Sequence, residues 1–264
     1  MKLSVIVITK NGEAYIRRCL ESAAWADERV VVDSGSTDST VDICRELGAQ
    51  VHVVTDWRGH GPQKNRALDR ACGDWVLSLD HDEWVTPELR AEIERTLAGP
   101  GDKAAYVVPR RSSYCGRYMR HSGWWPDYVT RLFRREAGRF SEDHMHDRLI
   151  VNGVVGKLKH PLMHEAITDL DQMIAKMNSY STASAVMLER QGRRAGLFTA
   201  MLHGWWAFTR TYFLRLGFLD GREGFMLAVA NAEGSYYRYL KLMLLGEAAA
   251  SRERSAVGGK DQSE

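Results

Sequence analysis

RVVVDSGSTDSTVDICRELGAQVHVVT, residues 29–55, sets two short β-branched runs, RVVVD (29–33) and AQVHVVT (49–55), on either side of a stretch with helical spacing. Within DSTVDICRELG (38–48), Val41, Cys44 and Leu47 recur three apart on one face, and Gly48 stops the helix. Strand, helix, strand in so few residues is the unit of a parallel sheet. The pattern extends both ways. LSVIVIT (3–9) and DWVLSLD (74–80) are further near-continuous apolar strands, and AYIRRCLESAA (14–24) places Ile16, Cys19, Leu20 and Ala23 on one helical face. The first hundred residues therefore predict an α/β fold with helices on both faces of a sheet. Ligands in such sheets bind beyond the carboxyl ends of the strands. The polar residues gather at those ends: Thr9 to Glu13 after the first strand, DSGSTD (33–38) after the second, DHDE (80–83) after the fourth.

After Pro100-Gly101 the pattern changes. AAYVVPRRSSYCGRYMRHSGWW (104–125), DYVTRLFRR (127–135) and DRLIVNGVVGKLKH (147–160) read as antiparallel strands rich in aromatics and arginines. From Asp169 the chain reads as helix over 169–191, 196–216 and 220–246, and the polar end EAAASRERSAVGGKDQSE reads as a frayed tail. The expected organisation is an α/β domain over 1–165, a helical extension over 166–247 and a flexible tail over 248–264.

With 264 residues, 44% of them hydrophobic, the chain can bury a substantial core. Its net charge of +2 gives no reason to expect a nucleic-acid partner. The charge is unevenly spread: seven arginines against Asp127 over 110–135, and five against Glu189 over 189–215. Four scattered cysteines without a CxxC pair suggest reduced thiols in a cytoplasmic protein. The N-terminal apolar run is too short for a signal peptide, and no stretch of about 20 uninterrupted apolar residues predicts a membrane span.

DHDE places three carboxylates within four positions, and acids this close repel unless a cation sits among them. A carboxylate pair at i and i+2 can hold a hard divalent cation whose shell is completed by phosphates; the bland alternative is a solvated strand end before a helix capped by Thr86. In VVVDSGSTDST (30–40), Gly35 allows a tight turn and leaves Asp33 either to accept from a pyrimidine N–H or to cap locally. In WRGHGPQKNRAL (57–68), glycines lead to Lys64 and Arg66 near a helix start, where cations and free N–H groups suit a diphosphate. His144, His146, His160 and His164 fit no zinc spacing. Trp124 and Trp125 suit either sugar stacking or packing.

ITKNGEAYI, VVVDSGSTDST, GPQKNRAL and GDWVLSLDHDEWV together resemble the family 2 glycosyltransferases of the GT-A fold, a Rossmann-like, mostly parallel sheet flanked by helices. WPDYVTRLFRR, the HD of DHMHDRLIVNGVVGKLKH, and LRLGFLDGREGFMLAVANAEGSYYRYLKL look like the bacterial branch that includes lipopolysaccharide core β-1,4-glucosyltransferases. The resemblance implies an inverting hexosyltransferase. Thr9, Asn11 and Glu13 would form the first donor-contacting loop, Asp33 would read the uracil of a UDP-sugar, and Lys64 and Arg66 would lie near diphosphate or ribose. Asp80 would contact ribose or metal, Asp82 would ligate Mn2+ or Mg2+, and His164 is a further metal candidate. The resemblance departs at His81, where many relatives carry a small residue, and at Asp147, where relatives carry a glutamate. Asp147 is favoured as the base that deprotonates the acceptor hydroxyl, with Glu142 and Asp143 as alternatives. Trp124, Trp125 and Arg131 are candidate acceptor contacts.

Residues 196–216 line up Phe198, Met201, Leu202, Trp205, Phe208, Tyr212 and Leu216 in one stripe with arginines at its margins. Such a helix lies in a membrane interface or packs on its neighbour at 220–246. The expectation is a cytoplasmic enzyme, peripheral on the inner face of the bacterial membrane, moving a hexose, with glucose favoured, from a UDP-sugar to an anionic glycolipid such as the lipopolysaccharide inner core. A polyprenyl-phosphate or other surface-polysaccharide acceptor, and a non-catalytic nucleotide-sugar-binding module, are the alternatives; the sequence leaves oligomeric state open.

Overall fold

The computed structural model describes residues 2–99, 101–142 and 148–258. The chain forms two compact units, one of Met1–Ser112 with Pro126–Ala166, the other of Ser113–Trp125 with Ile167–Glu264. The first unit ends at Ala166, and residues 113–125 fall in the unit that holds the helical segment.

In the first unit, β1 (Leu3–Thr9), α1 (Glu13–Ser22), β2 (Glu28–Asp33), α2 (Thr40–Glu46), β3 (Gln50–Val53), α3 (His60–Leu68) and β4 (Trp75–Asp80) alternate as the sequence predicts. They continue into β5 (Glu83–Val85) and α4 (Pro87–Ala98), then into β6 (Ala105–Tyr114), whose last two residues pass into the other unit and pair there with β7 (Arg117–Tyr118). Next come β8 (Asp127–Arg134), β9 (Gly138–Phe140), β10 (Leu149–Val151), β11 (Val155–Lys157) and β12 (Leu162–Ile167). The sheet runs β3-β2-β1-β4-β8-β6-β12-β5, with β11 beside β6 and a separate β9–β10 pair. The half formed by β3, β2, β1 and β4 is parallel, and β4–β8, β8–β6 and β12–β5 are antiparallel, so the sheet is mixed.

Every residue of β1 is buried, as a strand covered on both faces must be. One face packs Ile16, Cys19 and Leu20 of α1 with Leu89 and Ile93 of α4; the other packs Ala67 and Leu68 of α3 with Phe133 and Phe140. Parallel register sets Thr9 level with Asp33 and Ile8 level with Asp80, so the predicted polar ends share one edge. Thr86 caps α4, its Oγ1 accepting from Leu89 N at 3.1 Å, and Pro87 takes the first helical position.

In the second unit, α5 (Leu170–Arg190) is capped by Asp169, whose carboxylate accepts from Gln172 N at 2.7 Å. The single helix expected over 196–216 is α6 (Leu197–Thr209), followed by a π turn (Arg210–Leu214) and a 3-10 turn (Gly217–Asp220). Leu216 takes a left-handed φ of 55° between them, and a side chain on Gly217 would meet Thr211 O at 2.7 Å. α7 (Gly221–Gly258) runs past the expected limit of 246, through most of the segment read as a tail, because EAAASRERSA is made of strong helix formers. The stripe predicted on α6 is not its packed face. Ala200, Gly204, Ala207 and Thr211 are buried, while Phe198, Met201, Leu202 and Trp205 are exposed. Among the described residues no helix is long and apolar enough to cross a membrane.

Candidate active site

A cavity of about 380 Å³ opens at the carboxyl edge of the parallel strands, lined by Thr9, Lys64, Asp80, Asp82 and His164, all expected from sequence, together with Lys10, Ser34, Trp57, His60 and His81. Its size is that of small-molecule sites. Trp57 and His60 pack edge to face at 4.9 Å, and Trp57 remains half exposed on the rim. Nothing in the spacing of WRGH marked Trp57 or His60 as wall residues; only the fold of the 54–60 loop brings them there.

The cations that reconcile the acids of DHDE come from other strands and helices. Lys64 on α3 lies 3.0 Å from Asp80 Oδ1, and Arg131 on β8 donates to Asp80 Oδ2 at 2.5 Å and to Glu83 Oε1 at 2.6 Å. Arg110 on β6 reaches Glu83 Oε1 at 3.3 Å and Asp127 Oδ2 at 2.7 Å. Glu83 is fully buried, and its other oxygen accepts from Asp80 N at 3.1 Å, tying the turn to the strand end. Burial alone would raise the Asp80 carboxyl's pKa, but Arg131 and Lys64 hold it well below the usual carboxylate range. Burial opposes the charge on Arg131 too, and Asp80 and Glu83 outweigh it, keeping the guanidinium protonated. Both Asp80 oxygens are thus engaged by cations, Oδ1 by Lys64 and Oδ2 by Arg131. Arg131, expected at the acceptor, is buried and serves to hold these two acids.

Asp82 and His164 are brought together by the β12–β5 ladder. Antiparallel register sets His164 opposite Glu83, and Glu165 N donates to Asp82 O at 2.9 Å. His164 Nε2 then lies 3.6 Å from Asp82 Oδ2. Burial raises the Asp82 pKa, and the hydrogen bond and charge of His164 outweigh it, so Asp82 is held below its ordinary value. Behind the ring, Ser112 Oγ lies 2.9 Å from His164 Nδ1. Once Nε2 has lost the proton that it shares with Asp82, a ring donating from Nδ1 would present the Nε2 lone pair beside the Asp82 carboxylate. Among the described residues no group of three or more His, Cys, Asp or Glu side chains could enclose an ion. An Asp–His pair open to a cavity that also holds Lys64 supplies one hard and one borderline donor and leaves coordination positions for phosphate oxygens and water, so these residues fit Mn2+ or Mg2+.

Thr9 Oγ1 is buried on the cavity wall without a hydrogen-bond partner from the protein. The other expected donor contacts face elsewhere. Asp33 is fully buried; its carboxylate accepts from Gly35 N and Ser36 N, each at 2.9 Å, and from Ser36 Oγ. Gly35, at a φ of 86°, makes this turn possible. Asn11 Oδ1 accepts from Thr37 N at 2.9 Å, Asn11 N donates to Ser36 Oγ at 2.8 Å, and Glu13 Oε2 accepts from Ser39 N at 3.1 Å. Asn11, Glu13 and Asp33 therefore brace the two loops that form the rim. Arg66 is turned away onto Asp56 at 3.0 Å and Gln63 Oε1 at 2.7 Å.

A second hollow of about 440 Å³ shares Lys64 and Asp80 and is lined by Arg110, Arg131, Phe140 and Arg148. Asp147 and Asp143 lie outside the described residues; Glu142 is exposed. Trp124 and Trp125 belong to the second unit, where Trp124 meets Tyr114 edge to face at 5.7 Å.

Residues 4–157 match the profile of glycosyl transferase family 2. The chain is 32% identical over 253 residues to an uncharacterized glycosyltransferase of Rickettsia prowazekii, covering 91% of this chain and 86% of that protein. It is 30% identical over 271 residues to the lipopolysaccharide core biosynthesis glycosyltransferase LpsC of Rhizobium meliloti, covering 97% and 96%. Among solved structures, S. aureus TarS 1-349 in complex with UDP-GlcNAc is similar at a TM-score of 0.49 and 17% identity, over 94% of this chain and 92% of that one.

Proposed function

The chain belongs to glycosyl transferase family 2, and from that premise we propose that it is an inverting hexosyltransferase moving a sugar, glucose in the favoured reading, from a UDP-sugar to an anionic glycolipid of the lipopolysaccharide inner-core type. The observation that carries this is the Asp82–His164 pair facing the same cavity as Lys64 and the unpartnered Thr9 hydroxyl.

In this reading the donor's diphosphate lies between Lys64 and the Asp82–His164 pair, which would hold Mn2+ or Mg2+. The bound ion would neutralise charge on the departing nucleotide diphosphate. Lys64, fixed by Asp80, presents its ammonium to the same charge without needing to reorient. Thr9 donates to the donor, and the loops braced by Asn11, Glu13 and Asp33 shape the nucleoside end, where Trp57 offers an aromatic face. The acceptor enters by the second hollow, whose arginines suit an anionic sugar. Phe140 and Arg148, which flank the segment bearing Asp147, both line that hollow, which supports Asp147 as the base that takes the acceptor hydroxyl's proton, with Glu142 and Asp143 as alternatives. Trp124 and Trp125 remain acceptor candidates. A lipid-borne acceptor places the enzyme on the cytoplasmic face of a membrane.

The test is UDP release from UDP-glucose with delipidated core oligosaccharide, with and without Mn2+. Asp82→Ala and Asp147→Asn are each expected to reduce turnover to background; full turnover in either variant would refute the role given to that residue.

A further inference from the structure

The helical unit turns its small residues inward and its large apolar residues outward. On α6 the buried positions Ala200, Gly204 and Ala207, continued by Thr211 in the π turn, follow a spacing of four, three and four, one face of a helix. The close approach is real: a side chain on Gly204 would come within 3.2 Å of Tyr236 Cβ and 3.3 Å of Ala232 O on α7. A seam of small residues lets two helix backbones come together but uses little apolar area. The bulky residues are therefore left on the other side. Phe198 is 72% exposed, Trp205 65% and Leu214 62%. Water-exposed apolar side chains are ordinary singly, whereas a dense run of them marks a surface meant to be covered.

Two further observations say what covers it. The exposed face continues into a connected aromatic cluster past the π turn: Tyr212 touches Phe208, Phe213, Phe218 and Phe225 at ring-centroid distances of 5.2–6.2 Å, and Phe213, Phe218 and Phe225 are each about half exposed. And from Arg190 to Leu219 the sequence holds five arginines and no acid. The nearest following acids, Asp220 and Glu223, are buried, Asp220 accepting from Arg120 N, His121 N and Ser122 Oγ. An apolar surface edged with arginines that form no ion pair among the described residues is complementary to a lipid surface with anionic headgroups, into which aromatic rings and aliphatic tips enter while guanidinium groups remain at the phosphates. A second copy fits poorly, since a two-fold contact sets the same patch against itself and would oppose arginine to arginine.

We propose that α6 and the π and 3-10 turns after it form an in-plane membrane-binding surface, which inserts Phe198, Trp205 and the Tyr212-centred aromatic cluster into the interface of an anionic bilayer without spanning it. This deepens the membrane-surface part of the proposed function and rests on that reading for the choice of a lipid occupant.

The experiment is sedimentation of the full chain with vesicles of phosphatidylcholine alone or with 30% phosphatidylglycerol, alongside the oligosaccharide assay. The wild type is expected to partition onto the anionic vesicles and to come off as salt rises. Phe198→Glu/Trp205→Glu should lower partitioning by about tenfold or more, the loss of two buried aromatics. Arg210→Glu/Arg215→Glu should lower it on the anionic vesicles by about fivefold per arginine removed. Ile150→Glu, an equally exposed apolar side chain on β10, should leave it unchanged. All of these positions are solvent-facing, and unchanged thermal melts would establish that the variants fold. No binding by the wild type, equal binding by Phe198→Glu/Trp205→Glu, or a solution dimer dissolved by that double substitution overturns the proposal. A wild type that does not bind vesicles but transfers normally to oligosaccharide refutes this surface and leaves the chemistry standing; a wild type that binds vesicles without transfer does the reverse.

Discussion

Arg131 Nη2 lies 2.6 Å from Glu83 Oε1, and both residues are buried. Neither could be buried alone, since an isolated charge in this position lacks the hydration that the partner replaces. Arg131→Ala leaves Glu83 and Asp80 short of a cation and is expected to cost about 3–5 kcal/mol of stability in urea unfolding. Glu83→Ala in the same background should add far less than it does alone, because the two act as one unit. Additive losses would show the pair to be energetically idle.

His164 depends on Ser112 for its orientation, the hydroxyl lying 2.9 Å behind Nδ1. Ser112→Ala frees the ring to rotate while leaving the Asp82 and His164 side chains in place; removing such a supporting contact typically weakens metal affinity by about 10–100-fold. Titrating UDP release against Mn2+ is expected to show a raised half-saturation concentration with turnover recovering at high metal. His164→Ala should not recover. A Ser112→Ala curve superimposing on the wild type would show that the hydroxyl does not position the ring.

The difference between what could be read in the sequence and what could not follows distance along the chain. The β-branched runs and helix faces of the first hundred residues are local and appear as β1–β4, α1 and α2; the strand ends gather Thr9, Asp80 and Asp82 as well. The partners of those acids are not local. Arg131 reaches Asp80 because β8 runs antiparallel beside β4, with Leu132 opposite Leu77, and no motif 50 residues away encodes that register. His164 beside Asp82 follows from a three-residue ladder, β5 with β12, too short to leave a periodic signal. On α6 the sequence left two readings of the stripe open, membrane interface or packed face; the packed face is instead the row of small residues, because the close crossing with α7 admits only those.

Gly12 is required for steric reasons, not conformational ones, its φ being an ordinary −100°. A Cβ there would stand 2.6 Å from Thr9 Oγ1 and 2.9 Å from His81 Cδ2. Thr9 is fixed in a buried strand, so the strain falls on the half-buried His81 ring at the cavity wall. Gly12→Ala is expected to keep the fold at a cost of about 1–3 kcal/mol and to raise the KM for the UDP-sugar about tenfold. His81→Ala in that background should restore much of the KM. An unchanged KM in Gly12→Ala would show that Thr9 and His81 do not shape the donor site.

Glu92 on α4 fastens the turn that leads into β12. Its Oε2 accepts from His160 N at 2.9 Å and lies 2.8 Å from His160 Nδ1, and Oε1 accepts from Lys159 N at 3.0 Å. Partial burial raises its pKa, and the contacts with His160 and Lys159 outweigh that, leaving it below the ordinary glutamate value. A carboxyl with a depressed folded-state pKa contributes stability above its unfolded value, about 4.3, and loses it as pH falls through the folded value. Glu92→Gln should therefore be less stable than the wild type at pH 7, and the gap should close as pH drops below about 4. Urea midpoints measured from pH 7 to pH 3 test the sign: a gap that widens toward acid would mean that the charged form of Glu92 is not the one this turn holds.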